Sequence, residues 1–201
     1  MYNKENYLYR EVFSQIMKKF FANYSFYAVK MFINQFAVSL LGLTLSIVFS
    51  SIKDKNPSAS TAGQLISSIA AVVFYLFLIY NMTWNLGYED HVAVGHGKRE
   101  YRPLNGLLIS LLANSINLIL ALMALLGIAL GSWSIIIEGM YAGIMLTIAN
   151  GNSIPIWLYF AIIVPVLPVA TISYYLGLKD IRLLPNFNLN KSSSKGKNKN
   201  V

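Results

Sequence analysis

The sequence predicts an all-α membrane protein: a four-transmembrane-helix bundle with an N-terminal amphipathic interfacial helix and a further interfacial or re-entrant helix between spans three and four. Three observations predict it. Of 201 residues, 56% are hydrophobic and 12% charged, whereas a soluble domain carries about 25% charged residues. Four long runs contain no Asp, Glu, Lys or Arg, and about 20 apolar residues in a helix cross a hydrocarbon core about 30 Å thick. The Lys and Arg residues, 16 against 8 Asp and Glu for a net charge of +8, gather beside those runs on one expected side.

The first element is the segment from Leu8 to Phe21. Leu8, Val12, Phe13, Ile16, Met17, Phe20 and Phe21 share one helical stripe, with Arg10, Glu11, Ser14, Gln15, Lys18 and Lys19 opposite. That periodicity predicts a helix lying in the headgroup layer, in a cytoplasmic segment 1–30, before the chain turns into the membrane. It would serve as a topological anchor or as a docking surface for a protein partner at the cytoplasmic face. Elbow helices of ABC-2-type permeases are comparable by analogy, although those proteins have six spans.

The membrane domain covers 31–177, with spans over about 31–52, 64–86, 104–130 and 155–176. Their backbones must be helical, because strands with open edges would leave amides unpaired in lipid. The first is too long, and too far from the start, to be a cleaved signal peptide. Positive charges set the orientation. Lys4, Arg10, Lys18, Lys19 and Lys30 precede span one; Lys98, Arg99 and Arg102 separate spans two and three; Lys179, Arg182 and four tail lysines follow span four. Lys53 and Lys55 alone fall between spans one and two, and none falls between three and four. A plasma-membrane protein with both termini cytoplasmic is expected. Tyr27, Trp84, Tyr88, Tyr174 and Tyr175 then mark the inner interface, and Trp133, Trp157 and Tyr159 the outer one.

Span three carries Gly106, Ser110, Asn114, Asn117, Ala121 and Ala124 at helical spacing. This small and polar stripe, with Ser110, Asn114 and Asn117 at its centre, should face the bundle, either packing helices or lining a polar cavity with Asn34, Gln35, Asn81, Thr83 and Asn85. In span four, Pro165 and Pro168 remove backbone donors and should kink the helix, freeing the carbonyls of Ala161 and Val164. Between these spans, 131–154 is greasy but carries Glu138, and a fifth crossing would place the basic tail outside; an interfacial or re-entrant helix follows. Gly139 and Gly143, like Gly127 and Gly131, stand four apart, a spacing that lets backbones approach. The tail, 178–201, is rich in Asn, Lys and Ser and expected to be disordered, its lysines within reach of anionic lipid.

Several chemistries fall away. With no cysteine there is no thiolate metal site, disulfide or cysteine nucleophile. His91 and His96, with Glu89, Asp90 and Glu100 near them, match no metal-ligand spacing, and GHGKR at 95–99 lacks the spacing of a phosphate-binding loop. No cofactor is expected. Basic residues that flank apolar runs do not form a soluble face for nucleic acid. No predicted span holds an ionisable residue, which argues against proton-coupled transport.

Trp84, Gly87, Asp90, Val94 and Gly95, followed by Arg102, Gly106 and Leu107, resemble a pattern in small uncharacterised bacterial multi-pass membrane proteins. The resemblance covers about residues 80–117. It implies a bacterial plasma-membrane home and brings no catalytic residues. The expected function is a non-enzymatic accessory or permease-like subunit of a membrane complex. The rival is an autonomous transporter or channel for a small neutral solute, working as a homo-oligomer.

Overall fold

The computed structural model describes residues 4–128, 131–149 and 153–183, excluding the side chains of 4–8 and 131–133. Most of the predicted basic tail lies outside the described residues, as does the side chain of Trp133. The described residues are helical, with no strand among them: α1 Lys4–Ser50, α2 Pro57–Gly95, α3 Asn105–Ala113, α4 Ser115–Leu125, α5 Gly131–Ile137, a 3₁₀ turn Gly139–Tyr141, α6 Ala142–Ala149, α7 Ile156–Ala161 and α8 Val166–Leu178. Three helices, namely α1, α2 and the α7–α8 unit, are long and apolar enough to cross a membrane. The α3–α4 pair would make a fourth, bent by 56°.

The bend predicted between the amphipathic segment and the first span is not there. α1 runs unbroken through residue 30 for 47 residues, about 70 Å at helical rise. The reason is local: no proline occurs in it and its one glycine, Gly42, comes late, so nothing interrupts the backbone ladder. The helix ends before the polar turn at 51–55. There Asn56 accepts from Ala59 N at 3.1 Å and Pro57 opens α2, a favoured start for a helix. The hairpin is pinned by Ser60 Oγ to Phe49 O at 2.7 Å and Gln64 Nε2 to Ser50 Oγ at 2.6 Å.

The third apolar run stops being helical earlier than its composition suggests. Gly127 takes a left-handed φ of +70°, and its N–H and that of Ile128 return to Ala124 O and Met123 O, which closes α4 with a C-terminal cap. No atom lies close to where a Cβ on Gly127 would stand. Gly127 therefore ends a helix; it is not the packing contact its spacing to Gly131 suggested. In the fourth run the break falls at 162–165, with Pro165 capping α8 and Pro168 in its first turn, where missing donors cost least.

The interior and exterior are polar in the inverse of the soluble pattern. Gln35, Ser39, Ser68, Ser110, Asn114, Asn117 and Ser173 are buried, while Ile33, Leu41, Ile47, Val48, Ile66, Val73, Ile119 and Ile172 face outward. An apolar belt this wide around a polar-threaded core fits a membrane protein. The core itself runs between α1, α2, α3 and α8 around Met31, Tyr75, Ile79, Ile109, Val166 and Tyr174.

Candidate functional site

Two buried carboxylates, at opposite ends of the bundle, are its chemically distinctive groups. The first is Asp90, near the end of α2. It is positioned by backbone contact between α2 and α8: a Cβ on Gly87 would stand 2.1 Å from Tyr174 O, and one on Gly177 2.2 Å from Trp84 O. Only glycine allows that approach. It brings Tyr174 over Asp90, whose Oδ2 accepts from Tyr174 Oη at 2.5 Å and from Tyr24 Oη of α1 at 2.7 Å. Asn105 of α3 donates from Nδ2 to the same two hydroxyl oxygens, at 2.9 and 3.3 Å. Arg99 pairs with Oδ1. Burial works against the Arg99 charge, but the bond to Asp90 and its charge outweigh it, holding the guanidinium above its ordinary pKa. Both oxygens of Asp90 are thus engaged, and four helices and the α2–α3 loop meet on one carboxylate.

The stripe on the third run builds a second polar feature. Asn114 sits at the bend between α3 and α4, and its Nδ2 donates to Ser110 O at 2.8 Å, the carbonyl that also takes its backbone N–H. A side chain competing for the ladder is a recognised cause of a kink. Asn117 bonds Asn114 Oδ1 at 2.9 Å and exchanges two amide bonds with Gln35 of α1, at 2.8 and 3.0 Å. Ser110 Oγ turns back to Leu107 O at 2.9 Å. Ser110, Asn114 and Asn117 are therefore brought together, and their side chains bond one another, Gln35 and the backbone. Of the other polar residues that sequence grouped with them, Asn34 faces Met82 Sδ at 3.9 Å, Asn81 turns to Phe77 O, and Thr83 meets Ser173 between α2 and α8.

Glu138 is the second carboxylate. It occupies the break between α5 and the 3₁₀ turn, 1% exposed, and neither of its oxygens has a hydrogen-bond partner among the described residues. Glycines again set its place. A Cβ on Gly139 would stand 2.5 Å from Ser39 O, one on Gly42 2.6 Å from Met140 Cα, and one on Gly143 1.9 Å from Gln64 O. Ser39 Oγ donates to Ile137 O at 2.7 Å, and Gly143 N to Ser68 Oγ at 2.8 Å. Ser39 is eleven residues, about 16 Å, from the end of α1. The 131–149 segment thus folds into a broken helix wedged between α1 and α2. Tyr141 and Tyr159 lie within electrostatic reach of Glu138, yet the Tyr141 hydroxyl bonds Ile162 O at 3.2 Å, beside the Pro165 break. The Tyr75 hydroxyl, near Tyr141, is also without a partner among the described residues.

The histidines are otherwise engaged. His91 Nδ1 contacts Leu178 O at 2.8 Å, and His96 caps α2 through its backbone. Among the described residues no group of three His, Asp or Glu is placed to hold a metal. Sequence reasoning left Asp90 as a helix cap and gave Glu138 little weight. Part of the Asp90 arrangement is visible in the pattern from Trp84 to Gly106, because Trp84, Gly87, Asp90 and Gly106 all lie on the α2–α3–α8 seam. Trp84 Nε1 donates to Ile181 O at 2.6 Å, and Gly106 packs on Tyr174 Cβ and Ala170 O. Comparison with family models, with curated proteins and with solved structures finds no match.

Proposed function

We propose that this chain is a plasma-membrane protein of four spans with both termini cytoplasmic, acting as a non-enzymatic, permease-like subunit of a membrane complex. The observation that carries the reading is where the unsatisfied surface lies. The amides of the third run, the natural lining of a solute pathway, are spent on one another and on Gln35. α1, in contrast, continues about 30 Å past Tyr24, where it meets the Asp90 cluster. On that extension Tyr9 is 74% and Phe13 65% exposed. A continuous helix cannot both cross the membrane upright and lie flat on it, so aromatic surface held away from the bundle suits a protein companion better than lipid. The Y9D/F13D double variant tests this. It should insert normally, yet lose the stoichiometric companion that the unaltered chain retains through mild-detergent purification. Retention of the companion, or purification of the unaltered chain as a lone oligomer, would overturn the reading.

One observation favours the second reading, an autonomous transporter or channel for a small solute. Read as a re-entrant segment, 131–149 carries Glu138 to about the depth of the bilayer centre. An intramembrane acid with no partner is a default candidate for solute or ion contact.

A further inference from the structure

We infer that the chain holds an anionic phospholipid in a continuous site along α1, headgroup in a basic cleft and acyl chain in an apolar groove. The cleft, of about 550 Å³, lies between α1 and the α2–α3 loop. Lys19 and Asn23 contribute from α1, Lys98, Arg99 and Arg102 from the loop, and Asn105 from α3. Four positive side chains thus line it with one carboxylate, Glu100. Arg99 is paired with Asp90 behind it and Arg102 with Glu100, while Lys19 and Lys98 take part in neither pair. Arg102 holds the Glu100 carboxyl below its ordinary pKa, so the pair stays charged at neutral pH and the cleft keeps an excess of two positive charges. Compact negative charge of the phosphate-ester class is what such a cleft attracts.

The occupant is narrowed by what adjoins the cleft. Its α1 wall also presents Val12, Ile16 and Phe20. One turn further along α1, a groove of about 300 Å³ opens between Phe21, Ala28 and Phe32 on one side and Leu112 and Ile116 on the other. Leu112 is seven residues, about 10 Å, beyond Asn105 along the same run. A soluble phosphate would fill the cleft and leave the groove bare. A glycerophospholipid covers both, with its phosphate beside the lysines and a chain running down the bend between α3 and α4. This goes beyond the subunit reading, and it rests only on the chain residing in a membrane.

The test is native mass spectrometry of the full chain released from nanodiscs of phosphatidylcholine mixed equally with phosphatidylglycerol. The unaltered chain should retain phosphatidylglycerol selectively. Because each surface cation contributes roughly fivefold, K19A/K98A should lower that selectivity roughly 30-fold, while K19R/K98R restores it. Leu112→Trp, filling the groove, should cut retention of the same lipid, with an unchanged melting midpoint showing that the fold persists. Equal selectivity in K19A/K98A would overturn the inference. So would displacement of the lipid by inorganic phosphate, or a groove variant that binds as before, since either assigns the cleft to a soluble anion. Failure of the chain to enter nanodiscs at all would instead overturn the membrane setting.

Discussion

Asp90 and Glu138 are both buried acids in an apolar helical protein, and they are held in opposite ways. Around Asp90, two hydroxyls and a guanidinium converge on the two oxygens, and Asn105 supports the hydroxyls from behind. Around Glu138 the backbone is fixed as tightly, by three glycine contacts and two hydrogen bonds to α1 and α2, yet the carboxyl group receives nothing from the described residues. The difference separates structure from use. A carboxylate whose lone pairs are all occupied repays its desolvation by tying helices together, whereas one delivered to a buried position with its lone pairs open costs stability.

The sharpest way to break the comparison is Asp90→Ala. It would leave Arg99 without its counter-charge and the hydroxyls of Tyr24 and Tyr174 without their acceptor, in a cluster where Asp90 is 2% exposed. Removing one partner of such a network costs about 3 kcal/mol or more. The thermal unfolding midpoint in detergent should fall markedly, and Asp90→Asn should recover only part of it, because a neutral amide oxygen still accepts but no longer pairs with Arg99. A midpoint unchanged in both variants would mean that the four helices do not depend on this node.

A smaller loss is expected at Asn114→Leu. Asn117 keeps its reciprocal bonds to Gln35 but loses Asn114 Oδ1, and Ser110 O keeps the backbone N–H but loses the side chain. Interhelical polar bonds in membranes are worth about 1–2 kcal/mol at most. A modest drop in midpoint with no effect on any solute response is the expected outcome. A changed solute response at unchanged stability would return the stripe to the pathway reading.

These two residues also show how far the sequence could be read. The stripe of Ser110, Asn114 and Asn117 was legible, since helical spacing alone puts it on one face, and so were the four apolar runs and the break near Pro165. The bend at Asn114 was not, because it arises from a side chain competing for one carbonyl and leaves no proline or glycine as a signal. The unbroken α1 was hidden for a related reason: amphipathic and fully apolar segments imply different surroundings, but nothing in the backbone chemistry requires a joint between them. Asp90 was visible only as an acid at a helix end, for its partners lie 66 and 84 residues away in the chain. Such pairing is a tertiary fact. Glu138 was hardest, since its depth is set by Gly139 and Gly143 against α1 and α2, and glycine pairs at that spacing are common.

The smallest effect on stability, and the most telling, is expected at Glu138→Gln. The amide has the shape of the acid and carries no charge, and no bond among the described residues is lost by the exchange. Stability should therefore stay within about 1 kcal/mol of the original or rise slightly, because an open charged group is the costlier one to bury. Set beside Asp90→Asn, an equally conservative change, this gives a paired measurement: the node variant loses stability, and the Glu138 variant does not. Solute uptake in proteoliposomes then supplies the second axis. Uptake that disappears in Glu138→Gln at full stability would place the acid on a pathway and favour the transporter reading over the subunit reading. A stability loss matching that of the Asp90 variant would show instead that Glu138 is tied to a group supplied from outside the described residues, and the contrast between the two acids would collapse.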